Sequence, residues 1–206
     1  GFLFAALPGV NSHGINFASS AIQAGASAIL TDKIGYSKYF SISNTSNVVF
    51  VVVENPRETL ARCAALWFEQ QPAQIVAVTG TNGKTSVASF CQQIWSNLNI
   101  EAVSIGTNGV RGAWTQPLRH TTPDALEMHQ LLFKLKANGI DHVALEASSH
   151  GLDQSRLDGV QFSGACFTNF SQDHLDYHKS KDDYFEAKTL LFRQLLTSDK
   201  TAVFNV

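Results

Sequence analysis

The sequence predicts an α/β fold: a mostly parallel sheet with flanking helices, preceded by a smaller α/β domain. Three observations predict it. Short apolar runs, readable as buried strands, alternate with helical patterns along the chain, which is the order of βαβ units in a sheet covered on both faces. One such run, Ile75–Val78, feeds a glycine turn that ends in Lys-Thr and opens a helix. The 206 residues, 44% hydrophobic and 16% charged, suffice for one large or two small domains with a sizeable core, which excludes a disordered chain.

Taken in order, Leu3–Leu7 reads as a strand closed by Pro8-Gly9. Asn16–Ala24 reads as a helix with Gly25 as its C-cap, because glycine tolerates the left-handed conformation that ends helices. Ala28–Thr31 and Val48–Val53 are further strands, and Pro56–Glu69 is a helix with proline near its start. The polar, turn-like Gln70-Gln71-Pro72-Ala73 sets the expected domain boundary, giving residues 1–72 and residues 73–206. After the glycine turn, Val87, Phe90, Cys91, Ile94 and Leu98 recur at helical spacing. Glu101–Ile105 is a strand. Gly106, Gly109 and Gly112 have the wrong spacing for a dinucleotide fingerprint and read as a flexible loop. Thr122 is the expected cap of the next helix, with Pro123 in its first turn and Gly139 at its end. His142–Glu146 and Ala165–Asn169 are strands, Lys181–Leu196 is a helix, and Thr201–Val206 is strand-like. Met128 is the only methionine, so a piece of a longer protein is expected at both ends.

Bulk properties narrow the function classes. A net charge of −2 offers no electrostatic case for nucleic acid or an anionic membrane. No apolar run is long enough to span a bilayer, and Gly1–Phe4 lacks the flanks of a signal peptide. Cys63, Cys91 and Cys166 lie far apart in apolar patterns and read as buried free thiols of a reducing cytosol.

The chemistry centres on Gly80-Thr81-Asn82-Gly83-Lys84-Thr85-Ser86. Glycines let backbone N–H groups point at phosphate oxygens, and the following helix adds its N-terminal dipole. Lys84 would reach the terminal phosphates, and Thr85 or Ser86 would bind the accompanying Mg2+. The usual first glycine is replaced by Val78, so the loop is a shortened P-loop variant, and the central domain is P-loop ATPase-type. Glu146 ends an apolar strand, where a carboxylate beside a phosphate loop can serve Mg2+, a cation that prefers hard oxygen ligands. Ser148, Ser149 and His150 follow in a polar loop; adjacent Ser and His rarely face each other, so a nucleophile pair is disfavoured. Gln154 and Arg156 could present an amide and a guanidinium to an anion, or lie on an exposed face. His174 and His178 are spaced i, i+4, but Leu175 stands where a zinc protease needs Glu, so zinc hydrolysis is discounted. His174 is left as a second-metal ligand. Lys188 shares a helical face with Tyr184, Leu191 and Phe192. It is either a snorkelling surface lysine or a buried one whose free amine can take up CO₂ as a metal-binding carbamate.

These residues resemble the Mur ligases and their folylpolyglutamate synthase relatives in the loop Gly80–Ser86. Glu146-Ala-Ser-Ser-His-Gly-Leu152, Thr168-Asn169, Asp173-His-Leu-Asp-Tyr-His178, Thr121-Thr122-Pro123 and Ala187-Lys188 are similar to the branch that builds the UDP-linked tripeptide. The resemblance covers essentially the whole chain. It implies an ATP-dependent ligase that joins a diamino acid, meso-diaminopimelate or L-lysine, to UDP-MurNAc-L-Ala-D-Glu through an acyl phosphate, in cytoplasmic peptidoglycan precursor synthesis. It implies that Thr85 and Glu146 hold one Mg2+, that His174 and carbamylated Lys188 serve a second, and that Thr121, Thr122, Ser148, Gln154 and Arg156 bind the muramoyl dipeptide. Residues 1–72 would be the UDP-substrate domain, with Gly9–Gly14 approaching the UDP, and residues 73–206 the ATP-binding domain, in a monomer. Val10 and His13 depart from the family's forms, and its early Asp-Ser-Arg segment and C-terminal domain lie outside these residues, so this stretch alone is not expected to complete a turnover. The rival readings are a folylpolyglutamate synthase-type ligase and a non-catalytic ATP-binding module.

Overall fold

The computed structural model describes residues 1–9, 11–42, 48–174 and 176–205. Val10, Leu175 and Val206, which enter the expectations above, lie outside the described residues. The chain divides into two compact units, Gly1–Leu60 and Ala61–Val206.

The first unit holds β1 (Phe2–Ala5), a 3₁₀ turn (Gly14–Phe17), α1 (Ala18–Gln23), β2 (Ala26–Thr31), α2 (Lys33–Ile42) and β3 (Val49–Val52). The strands form a parallel sheet in the order β1-β2-β3. Gly25, at φ +101°, closes α1 as expected. Ala6, Ile15, Ala18, Ile29 and Tyr39 form its core. No helix is expected from the pattern of α2; it is stabilised by packing, with the rings of Tyr36, Tyr39 and Phe40 lying 5.4, 5.1 and 5.4 Å from Phe50. His13 caps the 3₁₀ turn by accepting the Ile15 N–H on Nδ1, so its Nε2 carries the proton toward Asp32, 3.1 Å away.

Helix α3 (Pro56–Phe68) runs across the division, and the boundary expected at 72/73 lies beyond its end. Its C-terminal part packs with the second unit: the Phe68 ring is 5.9 Å from Phe133, and Gln71, just beyond, bonds Gly159 and Gln161.

The second unit contains β4 (Gln74–Thr79), α4 (Lys84–Asn97), β5 (Ala102–Gly106), β6 (Gly109–Gly112), α5 (Ala125–Ala137), β7 (His142–Glu146), α6 (Ser149–Asp153), β8 (Gly164–Phe167), α7 (Lys181–Leu190) and β9 (Thr201–Phe204). Its six-stranded sheet has the order β6-β5-β7-β4-β8-β9 and is parallel except for β6. Strands β4 and β7, whose side chains Ile75, Ala77, Val143 and Leu145 are fully buried, pack against Met128, Leu131, Leu132 and Leu135 of α5. Apolar residues on both faces of a central strand are what a covered parallel sheet requires.

Five local expectations are corrected. Gly106, Gly109 and Gly112 belong to a hairpin rather than a flexible loop: Gly106 pairs with Gly109 across β5 and β6, and Gly109 and Gly112 take φ of +79° and +118°. Asp124, not Thr122, caps α5 by accepting the Glu127 N–H, because Thr122 turns inward to Glu146. The polar stretch after β7 forms α6, capped by the Ser148 hydroxyl. The helix expected over 181–196 widens after Leu190 into a π turn, Leu191–Leu195, where the Leu196 N–H reaches the Leu191 carbonyl. Cys91 and Cys166 are half-buried and Cys63 is exposed; all three are free, so the expectation of burial fails at Cys63. Among the described residues no helix is long and apolar enough to cross a membrane.

Candidate active site

Parallel strands end together, so the loops that follow them meet at one end of the sheet. Val78 of β4 lies beside Glu146 of β7, and Thr79 beside Phe167 of β8. The glycine loop after β4, Thr107 after β5, Ser148 after β7 and Thr168–Asn169 after β8 therefore share one edge.

The glycine loop is held by the loop after β8. Gly80 has φ +138°, and a Cβ there would overlap the Thr168 hydroxyl, so only glycine fits. Thr168 Oγ1 donates to the Asn82 carbonyl at 2.6 Å. Asn169 accepts the N–H of Asn82 on Oδ1 at 2.9 Å and that of Thr81 on its carbonyl at 2.9 Å. The Thr81 hydroxyl donates to the Ser171 carbonyl and accepts the Ser171 N–H. Gly83, at φ +84°, then opens α4 without a side-chain cap, leaving the helix N-terminus facing the loop.

Two ammonium groups converge on this loop. Lys84 donates to the carbonyls of Gly80 and Thr81 at 2.9 and 2.8 Å, and Lys188 donates to the same Gly80 carbonyl at 2.8 Å. Burial lowers the Lys84 pKa, opposed by Glu146 and Asp173. Lys188 is 1% exposed, with its ammonium 4.3 Å from the Tyr184 ring centroid. Burial and the nearby Lys84 charge pull its pKa from 10.5 to about 7, with Asp173 opposing. The buried alternative for Lys188 is the one realised.

Glu146 is buried, and its Oε1 accepts the Thr107 N–H at 2.9 Å. Thr122 Oγ1 donates to the Glu146 carbonyl at 2.8 Å and accepts the Ser148 N–H at 3.1 Å. A hydroxyl carries one proton, so in the 3.0 Å contact between the two hydroxyls Ser148 is the donor. Arg156 donates through Nη1 to the Thr122 carbonyl at 2.7 Å, and its Nε and Nη2 both reach Gln154 Oε1. Gln154 is fixed in turn by the Tyr177 hydroxyl, which donates to Asp153.

A cavity of about 480 Å³ gathers most of the expected residues: Thr81, Asn82, Gly83, Lys84, Thr85, Thr121, Thr122, Glu146, Ser148, Arg156, His174 and Lys188 line it. Ser86 does not line it and is exposed on α4; Gly80 and Gln154 stand behind the lining. The Thr85 hydroxyl and Glu146 carboxylate in one cavity are hard oxygen donors of the kind Mg2+ takes, and the missing Cβ of Gly106 leaves the carboxylate its room, so the residues fit that ion. His174 has φ +54°, and His178 N–H bonds the His174 carbonyl in a single turn. The rings of His174 and His178 instead pack around His150, at 5.1 and 5.6 Å. Among the described residues no three His, Cys, Asp or Glu side chains cluster to hold a metal.

Thr107, His120, Ser149 and His150 also line the cavity and are not in the expected set. Ser149 is 2% exposed and its hydroxyl has no partner among the described residues, whereas the Ser148 hydroxyl is committed to Thr122 and Gly151. Its only sequence signal is the repeated serine.

Known proteins share this chain's sequence pattern and fold. The model for the Mur ligase family, catalytic domain, matches residues 1–68, and that for the Mur ligase middle domain matches residues 78–206. The UDP-N-acetylmuramoyl-L-alanyl-D-glutamate--2,6-diaminopimelate ligase of Brucella melitensis biotype 1 is 46% identical over 204 residues, covering 98% of this chain and 41% of that protein. A solved structure of a ligase of the same name matches with a TM-score of 0.78 and 32% identity, over 99% of this chain and 40% of its own. E. coli FolC in complex with DHPP and ADP shares the fold, with a TM-score of 0.55 and 18% identity, over 83% of this chain and 45% of its own. The chain thus spans about two-fifths of the length of the curated relative it matches.

Proposed function

The chain belongs to the Mur ligase family, and on that premise we propose that the full-length protein carrying it is an ATP-dependent amide ligase of cytoplasmic peptidoglycan precursor synthesis. Its substrates are ATP, UDP-MurNAc-L-Ala-D-Glu and a diamino acid. The name of the similar Brucella ligase favours 2,6-diaminopimelate over L-lysine. The observation that carries the reading is the single cavity in which Lys84, Glu146, Arg156 and Lys188 face one another beside the glycine loop. Phosphate-directed, metal-directed and carboxylate-directed groups in one cavity are what a site needs to pass a phosphoryl group from a nucleotide to an acid.

In this reading residues 81–85 cradle the ATP phosphates, with Gly80 shaping the loop behind them, and Lys84 exchanges its bonds to the Gly80 and Thr81 carbonyls for phosphate oxygens. Arg156, held by Gln154, pairs with a carboxylate of the muramoyl dipeptide, and Thr121, Thr122 and Ser148 flank it. Thr85 and Glu146 would hold one Mg2+, and His174 and a Lys188 carbamate a second. The ions, when bound, offset charge on the phosphates. Lys188 is suited to carbamate formation. With a pKa near 7 much of its amine is unprotonated at neutral pH, so nitrogen can add to the carbon of CO₂ and release a proton to water. The ATP γ-phosphoryl passes to the D-Glu side-chain carboxylate. The diamino acid's amine attacks the acyl phosphate, and the tetrahedral intermediate expels phosphate to leave the amide. Residues 1–72 serve the UDP moiety, and the protein works as a monomer.

The test is ligation by the full-length protein given ATP, Mg2+ and UDP-MurNAc-L-Ala-D-Glu, with meso-diaminopimelate and L-lysine supplied separately and the product read by mass spectrometry. A UDP-tripeptide containing diaminopimelate is expected. No product with either, from folded protein, would sink the proposal; glutamate addition to a folate would replace it with the folylpolyglutamate synthase-type reading.

A further inference from the structure

We infer that Thr107, in the turn between β5 and β6, is a positioning residue that holds the Glu146 carboxylate and ties it to Thr121. The inference rests on the ligase reading above. Glu146 is 2% exposed, and a carboxylate so buried needs hydrogen-bond donors around it. Thr107 supplies two: its N–H reaches Oε1 at 2.9 Å and its hydroxyl reaches Oε2 at 3.3 Å. The same hydroxyl lies 3.1 Å from the Thr121 hydroxyl. An ionised carboxylate only accepts, and a hydroxyl has one proton, so the direction of both contacts follows. Thr107 donates to Glu146, and Thr121 donates to Thr107. The residue expected to hold Mg2+ and a residue expected to hold the dipeptide are thereby joined through one side chain.

The turn is shaped for this. Thr107 and Asn108 span the hairpin between the paired Gly106 and Gly109. A Cβ on Gly106 would overlap the Glu146 carboxylate, so the backbone passes directly against it. The N–H bond survives any substitution at residue 107 other than proline; only the hydroxyl is put to the test.

Thr107→Val removes the hydroxyl and keeps the shape, and Thr107→Ser keeps the hydroxyl. In the full-length protein, Mn2+ binding in the presence of a non-hydrolysable ATP analogue would be followed by the loss of the free-ion EPR signal. The Mg2+ concentration for half-maximal ligation and the KM for UDP-MurNAc-L-Ala-D-Glu would be measured alongside. Removing an outer-shell partner of a metal ligand typically weakens metal binding about 10- to 100-fold, and Thr107→Val should fall in that range with a raised KM, while Thr107→Ser stays near wild type. Wild-type Mn2+ affinity in Thr107→Val, or an equal loss in Thr107→Ser, overturns the inference, as does a wild type that binds no Mn2+. If the valine variant does not fold, Thr107→Ala carries the same comparison. A wild type that binds Mn2+ and nucleotide but makes no UDP-tripeptide overturns the ligase reading, whereas Thr107 is judged on the Mn2+ shift.

Discussion

Lys188 and Lys84 share one acceptor, the Gly80 carbonyl, and that sharing sets the behaviour of both. Two ammonium groups on one oxygen repel, and the more buried loses its proton first; Lys188 falls to about 7. In the unfolded chain its amine keeps the proton to about pH 10. Between about 7 and about 10 the unfolded state therefore binds more protons, and stability rises with pH. Below about 7 both states are protonated and the penalty of burying the charge is full. Lys188→Met removes this dependence. Wild type should be least stable relative to the variant near pH 6 and should gain on it toward pH 10, by a few kcal/mol, since each tenfold difference in proton affinity between the folded and unfolded amine is worth about 1.4 kcal/mol. Denaturant midpoints of both proteins across that range test it, and a difference that stays flat would mean the folded amine keeps its proton. Burial of Lys188 was only half legible: its helical neighbours Tyr184 and Leu191, both fully buried, pointed to it, but the sequence left a snorkelling surface lysine equally open. Ser149 was not legible, since only the fold reveals which of two adjacent hydroxyls lacks a partner.

At the scale of elements, the glycine loop owes its shape to a segment far along the chain. The Thr168 hydroxyl bonds the Asn82 carbonyl, and the residues on either side of Asn82 belong to the same loop. Thr168→Val keeps the volume but removes the shorter of that carbonyl's two donors, leaving the Asn169 amide at 3.1 Å, which should cost about 0.5–1.5 kcal/mol of stability and weaken ATP binding. Urea denaturation and nucleotide titration measure the two effects; an unchanged stability would show that water replaces the hydroxyl without loss. This brace was only half legible. The strand before it, the strand His142–Glu146 and the helix after the glycine loop follow from apolar periodicity, and the structure forms them close to where the pattern puts them. The bonds between loops do not follow, because they depend on which strands are neighbours. The hairpin at Gly106–Gly112 was misread for a related reason: glycine marks both mobile loops and tight turns, and the pairing partner decides. Helix α2 was missed because aromatic packing onto Phe50, rather than amphipathic spacing, holds it.

At the scale of the whole molecule, the cores are separate sets of residues: that of the first unit is built around Ile29 and Tyr39, and the second unit has one around Leu132, Val143 and Leu145 and another around Val78, Ala88 and Ala144. The cavity's loops come from the ends of β4, β5, β7 and β8, strands of the second unit. Bonds link those loops in two groups: Asn82 to Thr168 and Asn169 in one, and Thr107 to Glu146, Glu146 to Thr122 and Thr122 to Ser148 in the other. In the proposed reading ATP with Mg2+ meets both groups, through the glycine loop and through Glu146, so it should order both, because each loop's opening breaks a bond within its own group. Hydrogen–deuterium exchange with and without ATP and Mg2+ tests this. Slower exchange is expected at Thr81–Ser86, at Thr107 and at Thr168–Asn169 together, with residues 26–31 of the first unit unchanged. Protection confined to the glycine loop would mean that the linked bonds are static packing and that each loop meets its ligand alone. Protection spreading into β2 would mean that the first unit responds to the nucleotide, and the division of labour between the two units would have to be redrawn.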